Sequence, residues 1–147
     1  MSADLVDVFD RPPLRGQWLT HRDVRRLKER WRKAFAAPLH QATGAWSLGQ
    51  HDWHVFSHGY SVHEAQGIDA IRQYDSQVPT DLIVLWDHDF VAFQGDFALM
   101  PHARVGHDVY VFDEELTWTM AFTHELELGP FFATAASVRS QLRSSSA

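Results

Sequence analysis

Cysteine is absent from this 147-residue chain, which excludes disulfides, thiolate zinc sites and cysteine nucleophiles and suits a reducing compartment. Long apolar runs are missing too: none approaches the roughly 20 residues that a membrane span needs. Residues 1–7, MSADLVD, lack the basic and apolar regions of a signal peptide. The expectation is a soluble, cytoplasmic protein with no membrane partner. The eight glycines never fall into G-x-G-x-x-G or G-x-x-x-x-G-K, so a nucleotide-binding loop is not expected. Neither H-E-x-x-H nor a G-x-S-x-G elbow occurs, and the balance leans away from an enzyme.

Positive charge is scarce beyond the first helix. Residues 1–33 carry nine of the 13 Lys and Arg and a net +4, whereas the remainder carries −10. A body this acidic repels phosphate backbones, which disfavours nucleic acid as a partner. Plentiful instead are aromatics, at 13% with six Trp, and histidine, at ten residues.

The pattern of these residues predicts one domain over 1–147, with an irregular arm at 1–19 and a frayed tail at 144–147. Thr20 and Asp23 form a capping pair, and Val24, Leu27, Trp31 and Phe35 follow as an apolar stripe at helical spacing. Arg25, Arg26, Lys28, Arg32 and Lys33 occupy the other sides. That basic face is read as solvated, as docked onto the acidic body, or as an anion contact. Trp53–Ser57 reads as a strand. Ser61 and Glu64 have the S-x-x-E spacing of a capping box, which predicts a helix whose buried side is Ala65, Ile68, Ile71 and Tyr74. Leu82–Trp86, apolar on both faces, predicts a central strand. Asp87-His88-Asp89 makes a turn, and Phe90, Val91 and Phe93 return from it.

Val109–Phe112 and Trp118–Phe122 are β-rich runs joined by Asp113-Glu114-Glu115, which predicts an antiparallel hairpin. Strand alternation continued to its end puts His124 and Glu125 on opposite faces. Gly129-Pro130 breaks the strand, and Phe131, Ala135, Val138 and Leu142 predict a short C-terminal helix. The fold class expected is α+β: an antiparallel sheet of about five or six strands, two main helices packed on one face, and a short C-terminal helix.

The run Trp118-Thr119-Met120-Ala121-Phe122-Thr123-His124-Glu125, followed by Gly129-Pro130-Phe131-Phe132, resembles the C-terminal signature of an uncharacterised bacterial family of small domains of unknown function. The resemblance covers Asp108–Phe132 and, more faintly, Trp53–Ser57 with the segment after it. It implies a bacterial, soluble, single-domain protein and carries over no catalytic residues.

Three functions from different classes fit these features. The leading one is a non-catalytic protein-interaction module, in its concrete form an immunity or antitoxin-type inhibitor of a basic partner. Its contact rim would be Asp113, Glu114, Glu115, Glu125 and Glu127, since acidic surfaces steer basic partners into encounter; it needs no cofactor. The second is a small metal-dependent hydrolase holding zinc or manganese on Asp87, Asp89, His102 and His124, with His88, His107 and Asp108 as neighbouring donors. The third is a small-ligand sensor built on an aromatic pocket lined by Trp.

Overall fold

The computed structural model describes residues 13–49, 51–79, 81–103, 108–125 and 127–146. Along the chain these form β1 (Pro13–Trp18), α1 (His21–Phe35), α2 (Ala37–Thr43), α3 (His54–Ser57), β2 (Ala65–Gln66) and α4 (Ile68–Asp75). The sheet-rich half follows, with β3 (Leu82–Trp86), β4 (Val91–Phe97), β5 (Val109–Asp113), β6 (Trp118–Phe122), β7 (Phe131–Thr134) and then α5 (Ala135–Ser146). The strands make a seven-stranded sheet in the order β1-β4-β3-β5-β6-β7-β2, every pairing antiparallel. The α+β class holds, with seven strands in place of five or six.

Of the strands that were not expected, β1 and β2 lie at the two edges and β7 lies next to β2. β1 falls inside what reads as an irregular arm, but its backbone pairs with β4 from Pro13 opposite Phe97 to Trp18 opposite Phe93; residues 1–12 of that arm lie outside the described residues. In this pairing Gly16 faces Gly95. A Cβ on either would run into the Phe93 ring or facing backbone, so the close approach requires glycine at both. At the other edge β2 adds two residues to β7.

Period-two alternation in the central strands separates two cores. Ile83, Leu85, Tyr110, Phe112 and Ala121 face one side, where α1 lays down Val24, Leu27, Trp31 and Phe35, joined by Leu39, Phe56 and Val138 from α2, α3 and α5. Leu82, Val84, Trp86, Val111, Trp118 and Met120 face the other, covered by Ala70 and Tyr74 of α4 with Phe97 and Met100. The two principal helices, α1 and α4, therefore lie on opposite faces, which corrects the expectation of one. The reason is already in β3 and β5: strands apolar on both sides leave a face in water unless each is covered. Trp31 crosses the first core, and its indole N–H donates to Thr119 Oγ1 at 2.9 Å, which satisfies the buried polar group on each side.

Three local expectations give way to longer-range partners. Trp53–Ser57 is not a strand: His54–Ser57 is a short helix, and Val55 and Phe56 are buried together. The capping box does not form. Ser61 Oγ donates to the Phe35 carbonyl at 2.6 Å, Glu64 accepts from Thr134 Oγ1, and α4 starts only after Gly67. Ile68, expected in the core, is exposed. At the C-terminus Phe131–Thr134 is strand and α5 runs from Ala135 through Ser146, where a frayed tail was expected from residue 144.

The basic face of α1 is partly docked. Lys28 Nζ meets Asp87 Oδ1 at 2.5 Å, Arg32 grips Asp52 at 3.1 Å, and Arg30 donates to the Glu114 carbonyl. Burial raises the Asp52 carboxyl pKa, an effect that its hydrogen bond to Arg32 opposes. Among the described residues no helix is long and apolar enough to cross a membrane.

Candidate functional site

The chain gathers histidines where α3 meets one end of the β5–β6 hairpin. His51, His54 and His58 recur at spacings of three and four through the turn that contains α3, so their rings share one side. Their neighbours lie 5.5 Å (His51 to His54) and 5.0 Å (His54 to His58) apart. Trp53 anchors this turn from inside: fully buried, it donates its backbone N–H to the Tyr110 hydroxyl at 2.9 Å and its indole N–H to Asp108 Oδ1 at 3.0 Å. Burial raises the Tyr110 pKa well above its usual value, so the hydroxyl stays neutral.

Asp108, immediately before β5, is the hub. Besides the Trp53 indole it accepts the His124 backbone N–H at 2.9 Å and lies 2.8 Å from His124 Nδ1 and 3.7 Å from His51 Nδ1. With a proton on Nδ1 the His124 ring donates to this carboxylate, which can only accept; without it, the Nδ1 lone pair and the carboxylate oxygen face the same space. The His51 and His124 rings are 5.0 Å apart. One ligand atom from each of His51, Asp108 and His124 lies within 4.8 Å of the other two. Side-chain exposure is graded from 13% at Asp108 through 25% at His51 to 40% at His124, a shallow bowl with the carboxylate at its floor.

His124 and Glu125 do not diverge as strand alternation predicts. β6 ends at Phe122, the backbone bends at His124, and His124 Nε2 comes to 3.7 Å from Glu125 Oε1. Beside the bowl, His54 Nδ1 is 3.1 Å from Ser57 Oγ. Burial first, then the neighbouring His58 and His51, lower the His54 pKa and favour the neutral imidazole, which is the metal-binding form.

The donors expected to hold a metal scatter. Asp87 is committed to Lys28, His102 Nε2 lies 2.5 Å from Asp75 Oδ1, and Asp89 and His88 are exposed in the β3–β4 turn. His107 lies outside the described residues. Of the expected four, His124 alone enters the converged group, joined by Asp108 and by His51, which sequence reasoning passed over. A helical reading of His51-Asp52-Trp53-His54-Val55-Phe56-Ser57-His58 would have exposed the three-histidine face.

The acids expected to form a contact rim separate as well. Asp113, Glu114 and Glu115 sit at the turn between β5 and β6, whereas Glu125 and Glu127 follow the far end of β6. Five residues at about 3.3 Å each put roughly 17 Å between the groups. Asp113 is engaged locally: it accepts from Thr117 N at 2.8 Å and Trp118 N at 3.3 Å, and from the Thr117 hydroxyl.

In comparisons with known proteins, the model of a family described as a domain of unknown function (DUF4275) matches residues 20–132, more than three-quarters of the chain. No curated protein matches, and no solved structure does.

Proposed function

We propose, for a chain that belongs to the DUF4275 family of domains of unknown function, that His51, Asp108 and His124 bind a divalent metal ion and that the site serves a small hydrolase. The observation that carries this reading is the convergence within 4.8 Å of ligand atoms from two histidines and a carboxylate, drawn from three separate stretches of chain. Two imidazole nitrogens and a carboxylate oxygen are a ligand set of catalytic zinc, and three protein ligands leave a position open for water. A mixed nitrogen and oxygen set also accommodates manganese or iron. A bound ion would bring the pKa of its water toward neutrality, and Glu125, close to His124 Nε2, is placed to take the proton. The interaction-module reading has no comparable focus, because its acids sit at opposite ends of the hairpin.

Titration calorimetry of zinc and of manganese into metal-stripped protein tests the reading. One ion per chain is expected, with His51→Ala and His124→Ala each weakening affinity by more than about 100-fold, beyond what loss of an outer-shell partner costs. Hydrolysis of a panel of activated esters and phosphodiesters should appear with the ion and vanish with chelator. A chain that takes up neither ion stoichiometrically, or a His124→Ala variant that binds like the wild type, refutes the site.

A further inference from the structure

A second place on the molecule is shaped for a ligand and uses none of the residues of the histidine bowl. Glu29, Arg32 and Lys33 on α1 and Trp46, on the loop after α2, line an open cleft of about 240 Å³. From this cleft we infer a binding site for a free, zwitterionic amino acid with a flat or apolar side chain.

The wall is preformed. The Trp46 indole stacks on His40 with ring centroids 4.0 Å apart and planes within 10°. Its loop is fixed on the α2 side: Gly44, in the left-handed region, donates its N–H to the His40 carbonyl at 2.8 Å, and Ala45 N donates to Thr43 Oγ1 at 3.1 Å. An aromatic face held in place binds an apolar or planar group with little ordering cost.

The charges select what accompanies that group. Arg32 is committed, giving Nε and Nη2 to the buried Asp52. Glu29 and Lys33 lie one helical turn apart, as neighbours on the same side, yet make no ion pair with each other or with another described residue. The cleft thus offers one free negative and one free positive charge beside an aromatic wall. A simple anion would be opposed by Glu29 and a simple cation by Lys33. A zwitterion satisfies both, its ammonium at Glu29 and its carboxylate at Lys33, and its side chain lies on Trp46. Size points the same way, since the volume falls below the roughly 300–1,000 Å³ of pockets for drug-sized ligands, leaving room for an amino acid but not a nucleotide.

Ligand-observed NMR and calorimetry on the full chain, with L-phenylalanine, L-tyrosine and L-leucine as probes, decide the matter. At least one should bind saturably. N-acetyl-L-phenylalanine, which lacks the ammonium, and phenethylamine, which lacks the carboxylate, should each bind at least about tenfold more weakly than L-phenylalanine. Glu29→Gln and Lys33→Gln, both on the solvent side of α1, should each cost about tenfold with the melting temperature unchanged, and Trp46→Ala should cost more. No saturable binding by any of the three amino acids overturns the assignment, as does equal binding by the two blocked analogues or by the Glu29→Gln and Lys33→Gln variants. Because the bowl residues play no part, the result is independent of whether zinc binds.

Discussion

Two aspartates bracket β5 and are used in opposite ways. Asp113, at its end, bonds to Thr117 and Trp118, four and five residues away, and so closes its own turn. Asp108, just before its start, bonds to residues 16 and 55 positions away and brings two histidines and a tryptophan to one point. A carboxylate whose partners are its sequence neighbours is a folding device. One whose partners come from across the fold, next to exposed imidazole nitrogens, is a place where chemistry can be done.

Replacing the two aspartates in turn tests this contrast most sharply. Asp108→Ala should weaken zinc affinity in calorimetry by more than about 100-fold, since it removes a ligand, a larger loss than that of an outer-shell partner. Next in size, Trp53→Phe keeps an aromatic side chain, though a smaller one, and deletes the N–H given to Asp108. An outer-shell loss of about 10–100-fold in metal affinity is expected from it. Asp113→Ala should leave metal affinity unchanged and cost about 1 kcal/mol of stability, read as a fall in melting temperature of about 2–4 °C for a chain of this size. Equal effects of the two Ala variants on metal binding would erase the distinction.

The smallest effect concerns pH. His54 has a folded-state pKa below its ordinary 6.5, so the folded protein binds that proton less readily than the unfolded chain. Its contribution to stability is complete above pH 6.5 and is lost as pH falls through the folded value. Melting temperatures measured across that interval should fall toward acid, and His54→Gln should flatten the slope. A slope unchanged by the substitution would remove His54 from the account.

What could be read directly was whatever neighbours in sequence decide. The β5–β6 hairpin, the doubly apolar β3 and the Trp31 stripe of α1 follow from alternation, from a turn, or from helical spacing. Ser61 shows where that ends, because its hydroxyl had a suitable local use and found a partner 26 residues back at Phe35. The segment at Trp53 was too short for its period to separate strand from helix, and the strand reading hid His51 among loop residues. His124 and Asp108 were visible as donors. Val109 opposite Phe122 in the hairpin register sets them side by side, but the contact that brings His51 to them, the Trp53 indole on Asp108, spans 55 positions and no local pattern encodes it. The edge strands β1 and β2 escaped for a related reason, since each is defined by the strand it joins.

Gly16 and Gly95 carry a consequence for how this sequence can drift. Each is glycine because of the strand opposite, and a methyl group on either meets the Phe93 ring or facing backbone. Alanine at one position is not relieved by any change at the other, as both are already the smallest residue. Shrinking Phe93 removes the ring but leaves the backbone contacts in place. The pairing of β1 with β4 is thus an evolutionary ratchet: single substitutions lead downhill from it, and a lineage that keeps this edge of the sheet keeps both glycines.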